Sequence, residues 1–291
     1  AILSMFTKEN AVTLPFAIFL YEYSFFKGKE ELKKSCILPF LALLLLIPAF
    51  LFLTKPITFV SVRDIMERPV SGYYYFLTQS RVLVSYVRLV FLPINQNLDY
   101  DYVMSKTFLD PAVIISLVSL AAILVTAARI FKRHALISFG IFWFFLTLAP
   151  ESSFIPLKDD VIFEHRLYLP MVGFSIFLTS VIYYLLLKGK NYRFPAAIIL
   201  TMVAGCSILA YSRNLVWKDE FTLWNDCAQK SPWKARPYLN RSSAYYKRGE
   251  IDLAISDYAK AIEIKPDYAE AYLGQGNAYF LKRDLAQAIF N

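Results

Sequence analysis

Residues 235–268 read ARPYLNRSSAYYKRGEIDLAISDYAKAIEIKPDY, and this stretch decides the fold. Tyr238, Tyr245, Gly249, Ala254, Tyr258, Ala261 and Pro266 stand at positions 4, 11, 15, 20, 24, 27 and 32 of a 34-residue unit. A second unit opens at Ala269 and returns Tyr272, Tyr279 and Ala288 at positions 4, 11 and 20, with Gly276 at position 8. Large aromatics and small residues at helical spacing, punctuated by glycine and proline, predict two antiparallel helices per unit. The small residues let the helices approach, and the aromatics fill the gaps. One period back, Trp224, Cys227 and Pro232 fall on the positions of Tyr258, Ala261 and Pro266. Residues 219–230 are therefore expected to form a degenerate capping helix.

Upstream the texture changes. The 291 residues are 57% hydrophobic and only 19% charged, with a mean hydropathy of +0.44, which argues against an ordinary soluble enzyme and for a bilayer as solvent. Apolar stretches at Ala11 to Phe26, Ile37 to Thr54, Ala112 to Ala128, Ala135 to Ala149, Leu167 to Leu187 and Phe194 to Tyr211 are each near the roughly 20 residues that span the hydrocarbon core. Helix is the reading for all six, because an open strand in lipid leaves its backbone polar groups unsatisfied. The expected fold class is all-α: a polytopic transmembrane helical bundle over residues 1–212, followed by a repeat α-solenoid over 213–291.

Orientation follows from the basic residues. Lys27, Lys29, Lys33 and Lys34, then Arg129, Lys132 and Arg133, then Lys188, Lys190 and Arg193 supply ten of the 19 Lys and Arg before position 213. These three loops are expected on the cytoplasmic side, which puts the repeats outside the cytoplasm. The net charge of +8 is thereby read as membrane topology, with membrane lipid as partner and no nucleic acid. Tyr73 to Pro93 is also apolar but carries Thr78, Arg81, Ser85 and Arg88 at steps of three, four and three. That stripe predicts an extracytoplasmic helix, lying in the interface with snorkelling arginines or walling a polar, anion-binding cavity.

Two histidines and three cysteines leave no His-rich or Cys-rich metal framework, and the wide spacing of Cys36, Cys206 and Cys227 argues against a disulfide staple. Phosphate loops, nucleophile elbows and zinc-protease motifs are absent from the sequence. Attention moves to ionisable residues at membrane boundaries, where charge is costly. Glu164, His165 and Arg166 precede Leu167, whose helix start favours an anion: Arg166 and backbone amides would hold a phosphate, His165 would donate, and Glu164 would orient them. A helix-start salt bridge of Glu164 and Arg166 with neighbouring loops is the structural alternative. Asp99 and Asp101 form an Asp-x-Asp of the sort that can chelate a divalent ion, or an ordinary polar loop. Lys8 and Glu9 open the first stretch as an ion pair at a helix end or as a cavity wall.

The 34-residue unit resembles the tetratricopeptide repeat, which implies a concave surface for a peptide or protein. Residues 7–15 (TKENAVTLP), 98–102 (LDYDY) and 164–170 (EHRLYLP), followed by these repeats, resemble the membrane O-mannosyltransferase family that carries tetratricopeptide repeats, in its bacterial form, within the type C glycosyltransferase superfamily. That resemblance implies a sugar carried on a polyprenyl phosphate as donor and an extracytoplasmic acceptor such as a protein hydroxyl; the sequence assigns no cofactor and no metal site. It places the chain in a bacterial inner membrane, and the donor side collects Lys8, Arg81, Arg88 and Arg166. It also implies a catalytic acidic residue after the first span, expected upstream of Ala1, since the chain opens inside an apolar segment and breaks off at Asn291 within a repeat. Two other classes are open: a non-enzymatic membrane-anchored repeat scaffold, and a transporter. The scaffold leaves six spans unexplained, and a transporter would carry ionisable groups near the bilayer midplane.

Overall fold

A computed structural model describes residues 13–26, 71–150, 152, 161–184 and 193–290 of the chain. The expectations for Lys8, Glu9, the Ile37 to Thr54 stretch and the basic residues 27–34 and 188–190 lie outside the described residues. Every regular element among the described residues is helical: α1 (Leu14–Phe25), α2 (Gly72–Phe91), α3 (Pro111–Ile130), α4 (Ala135–Leu148), α5 (Pro170–Ile182), α6 (Arg193–Val216), α7 (Glu220–Lys230), α8 (Ala235–Lys247), α9 (Ile251–Ile264), α10 (Ala269–Leu281) and α11 (Leu285–Phe290). They form two compact units. The first takes Ala1–Leu92, Met104–Val161 and His165–Ala197; the second takes Pro93–Val103, Ile162–Glu164 and Ile198–Asn291.

Among the described residues, two helices are long and apolar enough to cross a membrane: Pro111–Ile130, with mean hydropathy 2.4, and Ala196–Val216, with 1.6. The start of α3 is set locally, because Pro111 has no N–H to waste at N1 and the Asp110 carboxylate accepts from Ala112 N at 2.9 Å. The stretches read as the fourth and fifth spans form shorter helices of 14 and 13 described residues. At about 1.5 Å per residue, α4 reaches about 21 Å, short of the roughly 30 Å hydrocarbon core.

In the first unit, α4 and α5 meet at two glycines. A Cβ on Gly140 would lie 2.5 Å from the Gly173 carbonyl oxygen, and one on Gly173 would lie 2.6 Å from that of Gly140. Trp143 Nε1 donates to Leu169 O at 3.1 Å across the same crossing, and Ser138 Oγ donates to Ala127 O at 2.8 Å to tie α4 to α3. Close backbone approach through small residues is how helices associate where lipid removes the hydrophobic drive. The polar-striped segment does form a helix, α2, which packs against α3 and buries Tyr75, Leu77, Val82, Tyr86 and Leu89. The fifth stretch begins differently from expectation: Glu164–Leu167 is a 3₁₀ turn and the α-helix starts only at Pro170. Proline at N1 sets the helical φ and sacrifices no intrahelical hydrogen bond.

The second unit carries the solenoid. Asp219 and Thr222 close a reciprocal capping box at the start of α7, the expected capping helix, and backbone and side-chain bonds from Thr222 hold the Asp219 carboxyl below its usual range. Ala254, Tyr258, Ala261, Ala271 and Ala278 form the buried seam of α8 to α10, flanked by Tyr238 and Tyr245. Gly249, at φ +78°, turns α8 into α9, a conformation that costs glycine little. Tyr258 lies over Gly274 so closely that a Cβ there would overlap its ring, while Gly276 and Ala288 line the outer groove of α10 and α11. Arg241 joins three helices. Its Nε and Nη2 bind both oxygens of Asp257 at 2.6 and 2.9 Å, and its Nη1 donates to Asn225 Oδ1 at 2.9 Å. That fork holds the Arg241 pKa above its ordinary value, and burial pushes the Cys227 thiol up.

Gly173→Ala and Ala254→Leu are each expected to lower stability by about 1 to 3 kcal/mol through overpacking. Thermal unfolding of the detergent-purified protein measures both, and an exposed substitution such as Ser256→Ala serves as the neutral control.

Candidate functional site

The residues singled out in the sequence fall into three settings. In the second unit, the loop Pro93–Val103 is locked by a polar hub. The Asp99 carboxylate has no exposed surface: Lys234 Nζ donates to Oδ1 at 2.5 Å and Arg236 Nε to Oδ2 at 2.7 Å. Ser231 Oγ donates to Asp99 O at 2.6 Å and accepts from Asn97 Nδ2 at 2.8 Å and Asp101 N at 3.0 Å. Glu164 belongs to the same network, where its Oε1 accepts from Asn97 N at 2.8 Å and Tyr100 OH at 2.6 Å. Lys230 Nζ reaches Gln96 O at 2.7 Å. Asp101 itself is exposed. The two aspartates are thus in unlike surroundings, one buried between cations and the other facing solvent. Among the described residues no group of three or more His, Cys, Asp or Glu is arranged to hold a metal.

In the first unit, the polar face of α2 grips the segment leading into α3. Thr78 Oγ1 accepts from Ser105 N at 2.9 Å and donates to Tyr74 O at 2.7 Å. Arg81 Nη1 donates to Ser105 Oγ at 2.8 Å, and that hydroxyl passes its proton towards Asp110 Oδ2 at 3.2 Å. Gln79 Nε2 donates to Val161 O at 2.8 Å, while its buried Oε1 has no partner among the described residues. Arg88, one turn beyond Ser85, is exposed. Away from this stripe, Val87, Val90 and Phe91 of α2 join Phe144, Phe174 and Phe177 in lining an apolar cleft of about 160 Å³.

The third setting is the 3₁₀ turn. His165 is exposed, and Arg166 is half-buried with Nη1 donating to Val161 O at 3.4 Å. Since the α-helix begins at Pro170, Arg166 lies ahead of the helix start rather than on its first turn. The sequence reading did not single out Ser231, Lys234 or Arg236. Their bonds to Asp99 and Asp101 join residues 130 to 137 positions apart along the chain, and no local pattern marks such pairs.

Residues 243–282 match the TPR repeat family. Over 227 residues the chain is 25% identical to the protein O-mannosyl-transferase TMTC1 of Homo sapiens, covering 73% of this chain and 25% of that protein. It is 23% identical over 148 residues to the protein O-mannosyl-transferase Tmtc3 of Drosophila melanogaster, covering 50% of this chain and 16% of the fly protein. An Hsp70-Hsp90 organizing protein of Triticum aestivum is 29% identical over 66 residues, 23% of this chain and 11% of the wheat protein. The chain therefore spans about a quarter or less of the length of these curated relatives. No solved structure matches. A 66-residue likeness is of repeat size, whereas one covering 73% of the chain extends into the apolar helices. The described residues are thus helical, match the TPR repeat over residues 243–282, include two helices long and apolar enough to cross a membrane, and belong to a chain weakly similar to protein O-mannosyl-transferases.

Asp99→Ala strands Lys234 and Arg236 beside an empty buried site. The expected loss is about 3 kcal/mol, at the low end for a broken buried pair because Arg236 is 42% exposed and regains water. Thermal unfolding, with hydrogen exchange followed at Ser231 to Arg236, measures it.

Proposed function

We propose that the chain is part of an integral-membrane glycosyltransferase that transfers a sugar from a polyprenyl phosphate donor to a protein hydroxyl outside the cytoplasm, with the TPR helices binding the acceptor or a partner. The observation that carries this reading is the likeness to TMTC1, which is too long to be repeat similarity alone. The relatives are named protein O-mannosyl-transferases, which makes mannose the first sugar to test.

Arg166 is the donor-phosphate residue in this proposal, with His165 beside it and Arg88 and Arg81 as further cations. Its planar fork can present two N–H groups to a phosphate, a geometry that lysine lacks. Glu164 supports the loop through Asn97 and Tyr100. The apolar cleft at Phe91 and Phe174 suits a prenyl chain. Asp99, held by two cations, serves in this reading as an anchor of the loop, and no catalytic role is given to it or to Asp101.

The test is binding of a polyprenyl phosphate sugar, and mannose transfer, by the protein carrying this chain in nanodiscs. Arg166→Lys is expected to weaken donor binding, and Arg166→Ala to weaken it further, by about 1.5 to 3 kcal/mol for a lost charged hydrogen bond. Normal donor binding by a folded Arg166→Ala returns Arg166 to a structural role. Absence of transfer alongside retained protein binding by the repeats favours the scaffold reading.

Sidedness is tested separately. Single cysteines at Gly189 and Ser256, in a background without Cys36, Cys206 and Cys227, are expected to differ, with only Ser256→Cys labelled from outside by an impermeant thiol reagent. Labelling at position 189 overturns the topology.

A further inference from the structure

One charged group in the second unit is engaged on one side only. Arg213, in the last turn of α6, is 13% exposed, and its Nη1 donates to Asp226 Oδ2 at 2.8 Å. Its Nη2 is buried with no hydrogen-bond partner among the described residues. An unmet guanidinium donor is costly, and an anionic acceptor relieves that cost most effectively. Asp226 does not neutralise the site, because it also binds Lys230 through Oδ1 at 2.7 Å and Oδ2 at 2.9 Å. Two cations and one carboxylate leave a net charge of about +1 at a membrane boundary.

Arg213 opens onto a groove of about 220 Å³, polar at Gln96 and Asn214 and apolar along Cys206, Leu209 and Ala210. Those three apolar residues belong to Ala196–Val216, the stretch long enough to cross a membrane. The Arg213 guanidinium also lies 5.8 Å from the Trp217 ring, which is half-exposed, one turn further along the chain. Tryptophan beside arginine at the end of an apolar helix marks headgroup depth. A groove with a cation at headgroup depth and a greasy wall leading down the helix fits an anion that carries a hydrocarbon chain.

We infer that this groove binds the phosphate of an anionic bilayer lipid. The Arg213 guanidinium, which lines the groove, donates to a phosphate oxygen, Gln96 and Asn214 offer polar contacts to the headgroup, and the upper chain lies along Cys206, Leu209 and Ala210. The inference stands apart from the donor reading of Arg166 and holds whether or not sugar is transferred.

The full chain, purified in detergent, is presented with phosphatidylglycerol, phosphatidylcholine, polyprenyl phosphate or inorganic phosphate, and bound lipid is counted by native mass spectrometry. Phosphatidylglycerol is expected to be retained over phosphatidylcholine. Arg213→Gln lowers its retention about tenfold or more, and Lys218→Gln, which removes an exposed charge nearby, does not. Asp226→Asn takes away the competing carboxylate and is expected to raise retention, whereas a merely structural Arg213–Asp226 pair gives no such rise. Equal retention of the two phospholipids, or an Arg213→Gln effect no larger than that of Lys218→Gln, overturns the proposal. So does displacement of the lipid by equimolar inorganic phosphate, which makes the groove a plain anion site, or retention of polyprenyl phosphate without phosphatidylglycerol, which gives it to the donor. If Arg213→Gln fails to fold, Asp226→Asn decides, and unchanged or lower retention sinks the assignment.

Discussion

Helices in this protein come together where a side chain is missing. At Gly140 and Gly173 each helix puts a carbonyl where the other would carry a Cβ, and nothing larger than hydrogen fits. Close packing there, with interhelical bonds such as Ser138 to Ala127 O, holds the first unit together. The solenoid meets the same geometric problem. Ala254, Ala261, Ala271 and Ala278 keep the axes close, Gly274 yields to the Tyr258 ring, and burial of the aromatic surface drives the contact.

Charge organises what packing cannot reach. The loop Pro93–Val103 is held against the cap of the solenoid because Asp99 is enclosed by Lys234 and Arg236, and Ser231 bonds to Asp99 O and Asp101 N. Enclosing a carboxylate is costly in desolvation, and the cost is offset only while both cations stay in place. The hub therefore specifies one position for the loop. Glu164 adds a second carboxylate that fastens the same loop at Asn97 and Tyr100. Acidic residues that look available for chemistry in a list of charges are here committed to architecture or, like Asp101, left on the surface.

The polar groups near membrane boundaries divide by what already occupies them. Thr78 and Arg81 meet Ser105, which continues to the Asp110 cap of α3, so half of the α2 stripe secures a turn. Arg88 is exposed, while Arg213 lines a groove and keeps one buried nitrogen without a hydrogen-bond partner among the described residues. Phosphate recognition needs donors whose hydrogen bonds are not already spent, and this separates the candidates more sharply than charge does.

The helical class, the 34-residue register and the apolar character of α3 and α6 were legible in the chain, because periodicity and hydropathy are local properties that a backbone expresses through its own hydrogen bonds. The Asp219 cap and the turn at Gly249 were local in the same sense. Helix limits were less legible: Pro170 delayed the start of α5, and α4 stopped at 14 residues. Only the tertiary structure decided that Asp99 lies between Lys234 and Arg236, that Gly274 sits beneath Tyr258, and that one Arg213 nitrogen has no hydrogen-bond partner among the described residues. Each of these depends on how elements distant in sequence are brought together, and a side chain's partner, exposure and cost of charge exist only once that approach has been made.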